Sequence, residues 1–257
     1  MARVPLPDGF LTRPLAHRGY HDKAARRPEN SAAAFLAAIA AGYGIELDVQ
    51  VSADGQAMVF HDDTLERLTA MTGPVNVLAA AKLTKIVLSG SDETIPTLAQ
   101  VVKLVAGRVP LLIELKDNLD TMLPGTGHLE RAVARALTNY QGPVAVMSFN
   151  PHCVAEMARL SPDIARGITT EDYDPAKSAP IPESVCTALR DIPDYDRTLS
   201  SFISHKAADL GRPRVAELKS LGAIVLCWTI RSPEAEAKAR QIAHNITFEG
   251  YPAVLPA

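Results

Sequence analysis

The chain has 257 residues, 47% of them hydrophobic and 21% charged, with a formal net charge of −3. That length suits one large domain or two small ones, and α/β barrels use it as a single unit. The balance is faintly acidic and offers no footing for nucleic acid or an anionic membrane. No apolar run reaches the ~20 residues of a membrane span, and the opening MARVPLPDGFLTRP has no signal-peptide core. Cys153, Cys186 and Cys227 stand far apart without zinc spacing, so a reduced, cytoplasmic protein is expected.

Residues 15–17 form a short apolar strand ending in His-Arg-Gly, followed by a polar, basic loop over 20–28. Asn30 is placed to cap a helix over 31–41, which Gly42 closes. In the next strand, from Gly44, alternation sends Glu46 and Asp48 to one face and Leu47 and Val49 to the other. Facing acids on a buried strand repel each other and resist desolvation, and a divalent cation relieves both problems. Asp54 and Gly55 read as the two central residues of a hairpin turn, with residues 57–60 running back antiparallel. On that count Val49 faces Phe60 and Asp48 faces His61, which seats the imidazole on the carboxylate side.

Residues 62–96 have weaker periodicity and read as a small insertion, a lid or a tolerated surface excursion. Regular alternation resumes with a capping box, Thr97 with Gln100, opening a helix to Val105. Strands are predicted at 111–116, 144–149, 164–168, 199–204, 223–230 and 245–248. Helices are predicted at 127–140, from Pro151, at 182–190, at 213–221 and at 233–243. Together with the strands at Leu15 and Ile45 this makes eight strand–helix units, which points to a (β/α)8 TIM barrel as a single catalytic domain. The alternative, an open doubly wound sheet, usually carries a Gly-rich loop after its first strand, and HRGYHDK is not one.

Barrel enzymes place their chemistry at the C-terminal ends of the strands. The ionisable residues collect there: His17 and Arg18 after strand one, Glu46 and Asp48 on strand two, His61 on the return arm, Glu114 and Lys116 on the next. Three acids without cysteine or a dense histidine set fit Mg²⁺ or Ca²⁺. Arg18 and Lys116 suit a phosphate, and two histidines supply an acid and a base near neutral pH. Cation, phosphate clamp and acid/base pair spell phosphodiester cleavage.

HRG at 17–19, PENS at 28–31, ELD at 46–48, DG at 54–55, HD at 61–62, IPTL at 95–98 and ELK at 114–116, followed more loosely by SF at 148–149 and CWT at 227–229, resemble the glycerophosphodiester phosphodiesterase family. The resemblance implies a barrel with a small insertion that hydrolyses glycerophosphodiesters to glycerol 3-phosphate and an alcohol, using one divalent cation. It implies metal ligation by Glu46, Asp48 and Glu114, acid/base roles for His17 and His61, and phosphate contacts from Arg18 and Lys116. A cyclic phosphodiester, formed by attack of the glycerol 2-hydroxyl on phosphorus, is the implied intermediate. Trp228 and Phe149 are expected to wall the substrate pocket, and Glu29 and Asn30 to support the site from behind. The basic loop is expected to reach the site through Arg26 or Arg27, and His205 with Lys206 is a lesser candidate for an anion contact. The chain departs from the family's Thr-Asp-x-Pro ending with Thr247-Phe248-Glu249-Gly250-Tyr251-Pro252. A glycosidase would leave the histidines, Arg18 and Lys116 unexplained. A phosphate-binding module would not need both histidines. A phospholipase D-like or phosphoinositide-cleaving relative shares the chemistry, but a small soluble phosphodiester suits the sequence better.

Overall fold

Among the residues described by the computed structural model (2–116, 121–178 and 180–255), nine strands form one sheet. They are β1 Leu15–Ala16, β2 Gly44–Val51, β3 Ala57–Val59, β4 Leu111–Leu115, β5 Val144–Ser148, β6 Ala165–Thr170, β7 Phe202–Lys206, β8 Ile224–Ile230 and β9 Asn245–Phe248. Eight run parallel and close on themselves, because β1 pairs with both β2 and β9. Helices lie between consecutive strands, giving the (β/α)8 barrel that the sequence predicts. The ninth strand, β3, runs antiparallel to the far end of β2. No helix among the described residues is long and apolar enough to cross a membrane.

Strand parity divides the molecule. Ile45, Leu47, Val49, Leu111, Ile113, Val146, Ile168, Ile203 and Val225 point outward and pack with Phe35, Val101, Val133, Val154, Met157 and Val215 of the helices. Each such large side chain, fully buried, contributes roughly 1.5–3 kcal/mol. The other parity points into the barrel. Its lower part is a dry plug of Leu15, Leu112, Ala145, Met147, Ala165, Phe202 and Leu226, closed from below by Leu6 and Phe10 of the N-terminal segment. Asn245 holds that segment by donating to the carbonyls of Phe10 and Arg13, both at 2.7 Å. One step up the same parity the interior turns polar.

The plug is packed to the limit at Gly167, where an added Cβ would lie 2.4 Å from the Phe202 ring. Overpacking of this kind costs typically about 1–3 kcal/mol. Gly167→Ala should therefore lower the melting temperature measurably while leaving the mouth of the barrel intact. An unchanged melting temperature would show that Phe202 has room to move.

Two local expectations change. The helix Ala32–Ala41 is capped by Ser31, whose hydroxyl accepts from the Ala34 N–H, and not by Asn30. Asn30 takes a left-handed φ of 56° and turns its amide toward the barrel. The hairpin is also one residue longer at its turn than expected. Ser52 N–H donates to Gln56 O and Gly55 N–H to Ser52 O, so Ala53, Asp54 and Gly55 form a three-residue loop with Gly55 at φ 74°. The observed pairs are Val49 with Val59 and Gln50 with Met58, so the expected register of Asp48 opposite His61 is wrong. Asp48 lies opposite Phe60, whose N–H donates to Asp48 O at 3.1 Å. The slip puts Met58 and Phe60 on the face that Gln50 and Asp48 share, opposite the helix-packed Val49 and Val59. There they nucleate a satellite core with Leu65, Val75, Leu83, Ile86, Leu88 and Ile95 of the following segment. That segment contains a 3-10 turn, Val75–Val77, and one helical turn, Ala80–Leu83.

Candidate active site

Glu46 and Asp48 are two residues apart on β2 and share its inward face. Glu114 is the register partner of Asp48 on β4. Ladder neighbours lie about 4.7–4.9 Å apart, so the three carboxylates converge, each offering an oxygen within 4.8 Å of the others. Glu46 and Asp48 are 1% exposed and Glu114 6%. Burial, together with the Asp48 and Glu114 charges, pushes the Glu46 carboxyl well above the usual carboxylate range. Burial opposes ionisation of Asp48 as well. There Lys116, His61, Arg18 and His17 outweigh it and hold the group well below the usual range.

The cations are placed by the same parity and by one sharp bend. Lys116 follows β4 two residues after Glu114 and puts its Nζ 2.6 Å from Glu114 and 3.3 Å from Asp48. Burial would discharge it, but those two carboxylates raise its pKa and keep it charged. After β1 the backbone turns at Arg18 (φ 56°) and Gly19 (φ 81°). This aims the Arg18 N–H at Glu46 Oε2, 2.9 Å away. The Arg18 guanidinium donates to Glu29 Oε1 at 2.7 Å, and its Nε lies 3.3 Å from Asp48 Oδ2. Asn30 clamps Asp48 from the other side. Its Nδ2 donates to Oδ2 at 2.9 Å, and its Oδ1 accepts from the Asp48 N–H at 3.3 Å. Glu29 and Asn30 thus contact Arg18 and Asp48 from the side away from the pocket.

His17 leaves β1 with its N–H on Phe248 O, and its Nδ1 lies 2.5 Å from Glu249 Oε2. His61 reaches the same pocket despite the slipped register, because β3 ends at Val59 and frees the chain to turn inward. Its Nδ1 lies 2.6 Å from Asp62 Oδ1. Arg67 donates to both oxygens of Asp62 and to both oxygens of Glu29. Arg18, Glu29, Arg67 and Asp62 therefore form one chain of ion pairs that ends on the His61 ring. Burial lowers the His61 pKa. Asp48 opposes that shift, while Lys116 and Arg18 add to it.

The seven groups line a pocket of about 140 Å³ together with Met147, Phe149, Trp228 and Thr247. Trp228 and Phe149 meet edge to face at 5.5 Å, and Trp228 Nε1 is tied to Ser204 O at 3.0 Å, so this wall is rigid. The pocket joins a cleft of about 600 Å³ that shares His61, Glu114, Lys116 and Phe149 and is walled further out by Asp62, Asp63, Glu171 and Tyr173. Other expectations fail here. β7 runs to Lys206, which makes His205 an outward-facing, fully buried residue held by Thr170 and Asp209, with no path to an anion. Lys206 pairs with Glu171 and Asp172. Arg26 pairs with Asp92, and Arg27 lies over the Tyr20 ring, so neither enters the pocket. Two charged residues at the site went unread, Glu249 and Arg67. The departure of residues 247–252 from the family ending was the only signal for the first, and the second had none.

The all-oxygen donor set of Glu46, Asp48 and Glu114 fits a hard divalent cation. Such a cation would relieve the burial and the Asp48 and Glu114 charges that oppose ionisation of Glu46. An acid triad beside two imidazoles and two fixed cations, at the C-terminal mouth of a barrel, defines an enzyme centre for an anionic ester. The chain belongs to the glycerophosphoryl diester phosphodiesterase family, whose pattern matches residues 17–246. A glycerophosphodiester phosphodiesterase of Bacillus altitudinis is 35% identical over 173 residues, covering 63% of this chain and 68% of its own. Glycerophosphodiester phosphodiesterase 1 of Mus musculus is 27% identical over 253 residues, 85% and 71% of the two chains. A phosphodiesterase of Oleispira antarctica, solved with its product sn-glycerol 3-phosphate, is 25% identical and superposes with a TM-score of 0.76 over 95% of this chain and 94% of its own.

Proposed function

We propose that this protein hydrolyses glycerophosphodiesters to glycerol 3-phosphate and an alcohol, with Mg²⁺ or Ca²⁺ held by Glu46, Asp48 and Glu114. The convergence of those acids with Arg18, Lys116 and two imidazoles in one pocket carries the reading. The cation's chemistry would be to draw charge from phosphorus-bound oxygens. Arg18 and Lys116 hold the phosphodiester and set its orientation. With Glu46 ionised and a dication present, these five side chains and the ion carry one net positive charge, which a phosphodiester monoanion cancels.

One imidazole takes the proton of the glycerol 2-hydroxyl as its oxygen bonds to phosphorus. The other gives a proton to the departing alcohol as the P–O bond breaks. The resulting cyclic diester is opened by water with the two roles exchanged. The nucleophile belongs to the substrate, so little orientational freedom remains to be lost. Trp228 and Phe149 flank the fragment and restrict water. The test is a panel of glycerophosphodiesters with coupled detection of glycerol 3-phosphate, run in chelator and with each cation restored. Release should require a cation and should follow every diester carrying the glycerol 2-hydroxyl. Full release in excess chelator, or release of the alcohol from a diester lacking that hydroxyl, would remove the reading.

A further inference from the structure

We propose that Glu249 is the positioning residue of His17: a carboxylate that fixes the imidazole as the Nδ1–H tautomer and presents Nε2 to the pocket. The proposal rests on the reading of His17 as an acid/base group, and it assigns a role within that reading to a residue outside the motifs. Two elements at opposite ends of the chain make the contact. β1 and β9 pair with Leu15 beside Thr247 and Ala16 beside Phe248, so the residues that follow each strand emerge side by side. His17 N–H binds Phe248 O at 2.9 Å, and Glu249 N–H binds Ile230 O at 3.0 Å. Both backbones are therefore pinned before the side chains meet at 2.5 Å.

The carboxylate is itself held. Arg231 Nε donates to Oε1 at 2.7 Å, while Oε2 faces His17 and, at 3.7 Å, His21 Nε2. An ionised carboxylate can only accept hydrogen bonds. Nδ1 must then carry the hydrogen, and Nε2 is the nitrogen left to exchange a proton with a ligand. The Glu249 side chain is 20% exposed, shielded enough for its dipole to matter and open enough for it to stay charged. On the other side of the pocket His61 is treated alike, with Nδ1 on Asp62 and Asp62 gripped by Arg67. The pocket thus has two imidazole–carboxylate–arginine sets, one from the closing seam of the barrel and one from the return arm.

The competing role for Glu249 is a strut that ties the end of β9 to Arg231 after β8. Three variants separate the two. Glu249→Gln keeps the shape, but its amide can donate to Nδ1 as well as accept, which frees the other tautomer. Glu249→Asp keeps the charge and shortens the reach. Arg231→Gln removes the strut and leaves the His17 contact. Expected are a fall in kcat of about 10- to 10²-fold for Glu249→Gln with KM nearly unchanged, an intermediate kcat for Glu249→Asp, and for Arg231→Gln a loss clearly smaller than that of Glu249→Gln. In ¹⁵N spectra the His17 ring should show protonated Nδ1 in the wild type and a tautomer mixture in Glu249→Gln. The proposal is overturned by a Glu249→Gln enzyme as fast as wild type, by Asp performing worse than Gln, by Arg231→Gln matching the loss, or by an unchanged His17 spectrum. A fully active His17→Ala enzyme would instead strike the acid/base reading. The spectra would still report, separately, whether Glu249 sets the tautomer.

Discussion

Glu46→Gln should abolish cation-dependent turnover, a loss exceeding about 10²-fold, since even outer partners of metal ligands cost 10–100-fold. The fold should survive, because in the cation-free protein Glu46 is already pushed toward its neutral form by burial and by Asp48 and Glu114. Gln is isosteric with that neutral acid and can still accept the Arg18 N–H. In chelator the variant should therefore melt at or above the wild-type temperature. A cation that binds favours the ionised form of Glu46 over its neutral acid. A carboxyl with a raised pKa holds its proton at lower pH and releases it as pH rises through that value, so cation affinity should climb with pH over the window above the ordinary carboxylate range. Calorimetry in buffers of different ionisation enthalpy should register the released proton in the wild type and lose that contribution in Glu46→Gln. Full activity in the variant, or cation binding with no proton release, would displace Glu46 from the ligand set.

His61→Ala should cost on the order of 10² or more in turnover with the barrel unchanged, since the side chain lines a pocket and supports no core cluster. Burial first, and then Lys116 and Arg18, lower its pKa against the opposing pull of Asp48. The imidazole therefore stays neutral to a more acidic pH than an ordinary histidine. The limb of the pH–rate profile that belongs to it should lie below about 6.5 and should vanish in the variant. A near-normal rate, or an acid limb that persists after the replacement, would take His61 out of the proton transfers.

The carboxylate triad was legible because it rests on a two-residue period and a parallel register, both local properties of β2 and β4. Lys116 followed from the same rule. The slipped hairpin shows the limit of such counting. Asp-Gly is compatible with two- and three-residue loops, and what selects the longer one is that it sends Met58 and Phe60 into the satellite core, a tertiary reward. Likewise Asn30 and Ser31 are both good caps, and only the proximity of Asp48 decides which one is used elsewhere. His205 was misplaced because β7 runs on to Lys206 instead of ending at Ser204, which keeps His205 within the strand and on its outward face. Glu249 and Arg67 act across barrel closure and across residues 62–96, separations of 232 residues to His17 and 38 residues to Glu29 that no local pattern encodes.

The apolar plug under the pocket has a consequence for traffic. Leu6, Phe10 and Phe202 are each no more than 7% exposed and seal the lower end. Among the described residues the barrel is a well closed at its lower end. Whatever enters must turn round and leave past the same rim, and a reaction that makes two products from one substrate must queue them at a single exit. With the phosphodiester placed on Arg18 and Lys116 as proposed, the fragment nearest the wide cleft would stand first in that queue and the phosphorylated fragment last.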